Sequence, residues 1–302
     1  MKILITGANG QLGRSIIEFA PKSYKLLKPD RNELNLEEQE NCYKYVIKNK
    51  PDWIINCAAY TQVDKAEKEK ELAFKINRDA PITFANALKT FGGKILQIST
   101  DYVFNGKNNF PYSPFSEKSP INAYGFSKAL AEDGLEKILF SSKQAIILRT
   151  SWLIGPYKNN FLRKMLEFHQ NKETLNIVFD QISSPTSSLS LAEVCWKTIY
   201  NQSQNKKTFN YPILHWSDLG IASWYDLSFF IGETAVELGL ITKKAKINPI
   251  TSNEYLTLAK RPNYSVLDSR ITRSFLNLDN NHWQTEIIKI CNKIKKDQKN
   301  LI

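Results

Sequence analysis

Apolar positions in the first half of the chain follow two alternating rhythms. Short continuous apolar runs at residues 2–6, 24–27, 53–58, 94–99 and 144–149 are separated by longer stretches in which apolar residues recur every three or four positions. The short runs, bounded by turn residues, predict buried strands, and the longer period predicts amphipathic helices. Helices are expected on the face marked by Leu12, Ile16, Ile17 and Ala20, and over residues 41–49, 73–91 and 124–140. Such strand–helix alternation specifies an α/β fold, a doubly wound parallel sheet with helices on both faces. Beyond about residue 155 the rhythm weakens, and helical patterns at 161–170, 189–200 and 224–238 are joined by polar or proline-bearing segments. The expected organisation is a sheet domain over residues 1–152, completed by part of 186–216. Residues 153–185 and 217–302 then form a smaller mixed α/β region that shares a cleft with it.

Composition narrows the classes. Of the 302 residues, 42% are apolar and 24% charged, an ordinary globular balance that excludes global disorder and fibrous repeats. No apolar run approaches the ~18 residues of a spanning helix. The opening MKILITGANG is too short in apolar residues for a secretory signal. A cytoplasmic protein is therefore expected, with Cys42, Cys57, Cys195 and Cys291 as reduced thiols, since none forms a CxxC pair. His169, His215 and His282 lack metal-ligand spacing. The net charge of +11 is spread through segments such as KNKPD and NKIKKDQKN. Without a focused basic stripe carrying aromatics, it reads as a solvated surface, and neither nucleic acid nor membrane is expected as a partner. Positive potential can still draw in a phosphate-bearing ligand.

Chemistry begins at the turn after the first strand. Gly7, Gly10 and Gly13 form G-x-x-G-x-x-G between that strand and the first helix. Glycine permits the tight turn and close backbone approach to a pyrophosphate, and the helix N-terminus offers free N–H groups to the anion. A Rossmann-type dinucleotide site is the expected result. Asp30 follows the second strand near the ~20-residue offset of a carboxylate that grips the adenosine ribose, which favours NADH. Arg31 is adjacent and Lys28 is close, and a cation there suits the 2′-phosphate of NADPH. Both cofactors stay open.

A second spacing carries proton chemistry. Tyr124 and Lys128 lie four residues apart at the start of a predicted helix, so they share one face. Tyr24 and Lys28 repeat the spacing without a hydroxyl partner. Thr100 supplies one for Tyr124, at the carboxyl end of a predicted parallel strand, the edge where open α/β sheets place ligands. Reduction of a ketone builds negative charge on its oxygen. A phenol can protonate that oxygen, a nearby ammonium can lower the phenol's pKa and hold a ribose, and a threonine hydroxyl can hydrogen-bond the carbonyl. Tyr124, Lys128 and Thr100 are the expected catalytic set.

The segments TGANGQLG (6–13), PDWIINCAAYTQVDKAE (51–67), STDYVFNG (99–106), YGFSK (124–128), RTSW (149–152), NNF (159–161), DQISSPT (180–186) and KRPNYSVLD (260–268) span nearly the whole chain. They resemble the extended short-chain dehydrogenase/reductase superfamily and, within it, the dTDP-4-dehydrorhamnose reductase family. The resemblance implies reduction of the C4 keto group of a dTDP-4-dehydro-6-deoxy sugar by NADPH or NADH, in the synthesis of cell-surface polysaccharide precursors. It implies that Gly10, Gln11 and Leu12 line the cofactor phosphates and that Asp30, Asn35 and Leu36 lie near the adenosine end. Ala59, Tyr60 and Thr61 would lie along the cofactor. Thr100 and Asp101 would contact the sugar nucleotide, with Trp152 packed beside it, and a homodimer is one assembly open to such a chain. Some relatives bind Mg²⁺ through acidic residues, but Ser15 and the segment SSLSLAEV (187–194) lack a clear acidic set, so no metal is expected. Tyr102 follows Thr100-Asp101 where sugar-nucleotide dehydratases carry a second acid, which argues against dehydration. Another sugar-nucleotide 4-reductase or 4-epimerase, or a non-catalytic regulatory homologue, stands as the alternative.

Overall fold

The computed structural model describes residues 1–203, 212–279 and 281–299. The chain runs β1 (Lys2–Thr6), α1 (Gln11–Glu18), β2 (Lys25–Leu27), α2 (Gln39–Asn49), β3 (Trp53–Asn56), α3 (Val63–Lys68), α4 (Lys70–Phe74), α5 (Ala80–Lys89), β4 (Lys94–Thr100), α6 (Ala123–Leu135) and β5 (Ala145–Thr150). It continues through β6 (Leu153–Ile154), α7 (Phe161–Asn171), β7 (Thr174–Val178), β8 (Ile182–Ser183), β9 (Thr186–Ser187), α8 (Ser188–Ser203) and β10 (Ile213–Trp216). The last elements are β11 (Ala222–Ser223), α9 (Trp224–Glu237), β12 (Lys246–Ile250), α10 (Arg270–Leu276) and α11 (Trp283–Lys299).

The continuous apolar runs become one six-stranded sheet in the order β10-β5-β4-β3-β1-β2, with every pair parallel. Their residues are apolar throughout because both faces are covered. One face packs Ile3, Ile5, Ile55 and Leu96 against Leu12 and Ile16 of α1 and Leu191 and Ile199 of α8. The other packs Leu4, Ile54, Ile95 and Ile147 against Val46 of α2, Phe84 and Leu88 of α5 and Leu135 of α6. This is a Rossmann-type doubly wound sheet. From β1 the chain passes to β2 on one side and then to β3 on the other, so the strand order reverses between β1 and β3. The crevice at their carboxyl ends is where such sheets bind ligands.

Several boundaries differ from the periodic expectation. The helix expected at 73–91 starts at Lys70, passes through a π-helical turn at Lys75–Asp79 and resumes as α5, with Pro81 in its first turn. A second π turn, Glu136–Phe140, finishes the segment begun by α6. Such turns hold an extra residue per turn and occur as single bulges within α-helices, so a window read for the ordinary helical period passes over them. Ala20 lies beyond α1, which ends at Glu18 just before Pro21.

The second half has its own apolar cluster, in which Leu162 and Met165 of α7, Leu227 and Ile231 of α9 and Ile287, Ile290 and Ile294 of α11 interlock. The basic run near the C-terminus is thus the solvated side of α11. Two parallel strands, β7 and β12, form a separate ribbon beside it.

Candidate active site

The turn after β1 is shaped for a backbone-lined anion site. Gly7 has φ +64°, a conformation that disfavours side chains, and the Gly10 N–H donates to the Gly7 carbonyl at 2.8 Å. A Cβ on Gly13 would lie 2.3 Å from that same carbonyl oxygen, so α1 can approach the turn this closely only with glycine there. Gly10 caps α1 without a side-chain hydrogen bond, which leaves the first-turn N–H groups for a ligand. A cavity of about 540 Å³ opens here and extends to Thr100, Tyr124, Lys128 and Trp152. A second cavity, about 290 Å³, runs from the same turn to Asp30, Arg31, Asn35 and Leu36. The two share Gly7, Gly10, Ala58 and Ala59 in their walls, as one elongated ligand would require. Gln11 Oε1 and Thr150 Oγ1 are buried without partners among the described residues, and both residues line the larger cavity. A glycine cradle with two orphaned polar atoms fits a dinucleotide.

The reactive groups converge from two elements. Thr100 ends β4, and Tyr124 and Lys128 share one face of α6. Asn122 fixes the start of α6 by accepting the Gly125 N–H at 2.8 Å, while its Nδ2 donates to the Lys260 carbonyl. Asn77, in the first π turn, binds the Tyr60 backbone through Oδ1 and Nδ2 and donates to Ser127 Oγ at 3.0 Å. It thereby ties the segment after β3 to α6. Lys128 is buried and its Nζ donates to the Ile98 carbonyl at 2.6 Å. Thr100 Oγ1 donates to Asp101 Oδ1 at 3.1 Å, and Asp101 Oδ2 accepts from Ser265 Oγ at 2.5 Å.

Burial sets the electrostatics. It pushes the Tyr124 phenol up to about 12, outweighing the neighbouring Thr100 hydroxyl that pulls it down, and Asp101 adds to the rise. Burial lowers the Lys128 ammonium to about 8, against the pull of Glu132. Burial also raises Asp101 to about 6, opposed by Ser265 and Thr100. The expected lowering of the phenol by Lys128 is therefore not realised in this geometry. Desolvation dominates, and the ammonium rests on a main-chain carbonyl instead.

Trp152 and Trp224 form a wall between two cavities. Their rings stack with centroids 3.5 Å apart and planes 10° apart, and Trp152 sits at φ +40°, rare for a bulky residue. On the far side lies a cavity of about 580 Å³, where Phe161, Phe168 and Trp224 present apolar faces and Lys164, Lys172 and Arg261 bring positive charge.

Comparison with known proteins places this geometry. The family described as RmlD substrate binding domain matches residues 1–296. The chain belongs to this family. A dTDP-4-dehydrorhamnose reductase of Aggregatibacter actinomycetemcomitans is 36% identical over 96% of this chain and 98% of its own length. The crystal structure of a dTDP-4-dehydrorhamnose reductase from Clostridium acetobutylicum superposes with a TM-score of 0.88 at 35% identity, covering 98% of this chain and all of that one. The same enzyme from Bacillus anthracis, solved in complex with NADP, gives 0.87 at 33% identity over 97% of this chain and 99% of that one.

Within this RmlD-type frame, most residues singled out from the sequence line the first two cavities. Tyr60 does not. Its hydroxyl donates to Glu69 at 2.6 Å and its ring packs with Ala66, Ala73 and Ala123. Ser15, where the resemblance led to the expectation of no acidic metal ligand, is buried and hydrogen-bonded to Ser188 Oγ at 2.7 Å. Other residues escaped the sequence reading. Trp224 covers one face of Trp152, and Arg261 reaches the third cavity while paired with Asp64 of α3. Asp64 also accepts the Ala259 N–H at 3.1 Å. Both Asp64 and Arg261 lie in the matching segments VDKAE and KRPNYSVLD, and an acid and a base in two such distant segments were the available signal.

Proposed function

We propose that this chain reduces the C4 keto group of a dTDP-4-dehydro-6-deoxy sugar, converting dTDP-4-dehydro-L-rhamnose to dTDP-L-rhamnose with NADH or NADPH. The observation that carries this reading is that the glycine cradle, Thr100, Tyr124 and Lys128 line one cavity. Bound along the 7–13 turn, the nicotinamide cofactor supplies a hydride to the carbonyl carbon.

The chain's own residues handle the proton. Thr100, whose hydroxyl rests on Asp101, turns it to the carbonyl oxygen and fixes the ketone. Tyr124 gives its proton to that oxygen as charge develops. With a pKa near 12 the phenol is fully protonated at neutral pH, so the donor is loaded before each turnover. Transfer still runs downhill, because an alkoxide is the base of an acid about as weak as water and takes a proton from a phenol. Lys128 has one N–H on Ile98 and two left for the ribose hydroxyls, and its charge strengthens those hydrogen bonds. In this reading residues 1–152 with 186–216 hold the cofactor, and 153–185 with 217–302 hold the sugar nucleotide. The third cavity suits the nucleotide, with aromatic faces for the base and Lys164 and Arg261 for the diphosphate. Cys42, Cys57, Cys195 and Cys291 are free thiols, in keeping with a cytoplasmic enzyme. Among the described residues no helix is long and apolar enough to cross a membrane.

Two predictions arise here. Lys128 must be charged to act, and its lowered pKa means the proton leaves as pH rises through about 8. Turnover should therefore fall above pH 8, well before Tyr124 loses its proton, and a kcat profile flat to pH 10 would contradict the role of Lys128. Asp64→Asn should release Arg261 and the 251–261 loop from α3. The pair is partly exposed, with side chains 40% and 19% accessible, so the expected effect is a rise of about fivefold in KM for the sugar nucleotide, on the scale of ~1 kcal/mol for such pairs. Steady-state kinetics with unchanged KM would remove Asp64 from substrate binding.

The function itself is tested at 340 nm. Purified chain with dTDP-4-dehydro-L-rhamnose should consume NADH or NADPH and yield dTDP-L-rhamnose. Absence of turnover with either cofactor, on protein that binds them, would refute it.

A further inference from the structure

Resting on that reading, the adenosine-end cavity carries a specificity device. Its wall holds three charged residues, Asp30, Arg31 and Glu37. The Arg31 guanidinium is ion-paired to the Glu37 carboxylate, with side-chain accessibilities of 75% and 30%. Lys28, the other cation near this turn in sequence, is not part of the wall. The segment that carries these groups is tightly held. Asp30 Oδ1 accepts the N–H groups of Asn32 and Glu33 at 2.8 and 3.0 Å, and the Asp30 carbonyl accepts from Leu34. Glu37 N–H donates to Asn35 Oδ1 at 3.2 Å. Asp30 Oδ2 keeps no partner among the described residues.

We propose that Glu37 sets the cofactor preference by holding Arg31, so that the pocket takes NADH over NADPH. A ribose diol brings two donors, which the pinned Asp30 carboxylate accepts. A 2′-phosphate brings a charge of about −1.5 to −2 and needs a cation. The one cation in the wall among the described residues is already matched by Glu37, and Asp30 adds a second repulsive charge. Glu37 therefore acts twice against the phosphate, once by its own charge and once by drawing one amino group of the Arg31 guanidinium to itself. Asp30 alone favours the diol, whereas Glu37 decides whether Arg31 can offer the alternative.

Calorimetric titration of the purified chain with NAD⁺ and NADP⁺ tests this without turnover. The wild-type chain should bind NAD⁺ more tightly. Glu37→Gln should shift the ratio of the two dissociation constants toward NADP⁺ by about twofold to fivefold, the scale of exposed charge pairs. Adding Arg31→Met to Glu37→Gln should abolish that gain, because the gain runs through the released guanidinium. A ratio unmoved by Glu37→Gln, or a gain that survives loss of Arg31, would overturn the inference and leave the proposed reaction standing. Failure of the wild-type chain to bind either dinucleotide would overturn the cofactor reading and this inference together.

Discussion

Replacement of Tyr124 by phenylalanine should lower kcat by ~10²–10⁴, the usual contribution of a positioned general acid. The substitution removes one oxygen and keeps the ring, whose edge-on contact with Tyr102 at 5.8 Å is preserved. Cofactor and substrate should bind nearly as before, so the loss should fall on kcat rather than KM. Thr100, the other hydroxyl at the carbonyl, is a far weaker acid than a phenol. Asp101 is buried and engaged by Ser265 and Thr100, and Lys128 is committed to the Ile98 carbonyl. Single-turnover kinetics with saturating cofactor would isolate the step, and near-normal turnover would remove Tyr124 from the chemistry.

The second large effect concerns stability. Arg149 and Glu132 are each about 1% exposed and paired at 2.7 Å. Glu132 also accepts from Ser99, while Arg149 reaches the Pro114 carbonyl at 3.4 Å and His215 Nε2 at 3.3 Å. This network joins β4, β5, β10 and α6 directly behind the reactive groups. Arg149 and Lys118 hold the Glu132 carboxyl below the usual carboxylate range despite its burial. Arg149→Met keeps most of the volume but leaves that charge with Lys118, 3.6 Å away and partly exposed, and with the Lys128 ammonium on the same helix. Breaking a buried pair on one side costs roughly 3–5 kcal/mol, so unfolding should move down by on the order of 10 °C. A thermal shift below about 2 °C would show that Lys118 or water compensates.

The sheet was legible in the sequence because strands covered on both faces must be apolar along their whole length, and Ile3–Ile5, Ile54–Ile55 and Ile95–Leu96 obey that rule. The glycine turn was legible because steric limits at Gly7 and Gly13 leave little choice of residue. The C-terminal half was less so. The ribbon of β7 and β12 pairs residues far apart in the chain, and β12 contains Pro249, which makes it read as a loop. Helix α11 was hidden by its lysines, although Ile287, Ile290 and Ile294 carry its buried stripe. The Trp152–Trp224 stack and the Asp64–Arg261 pair are tertiary contacts, invisible to local pattern. Residue types alone placed a cation and a phenol together, but only the burial of Lys128 and its bond to Ile98 reveal that desolvation, not the ammonium, governs the Tyr124 pKa.

The central claim is that the carbon reduced is C4 of the sugar, with the oxygen on it protonated from Tyr124. Turnover of dTDP-4-dehydro-L-rhamnose with cofactor deuterated at the nicotinamide C4 position, followed by NMR of the product, reads this out directly. The account predicts deuterium at C4 of the rhamnosyl ring and nowhere else. Product without label at C4, or label at another ring carbon, would contradict it.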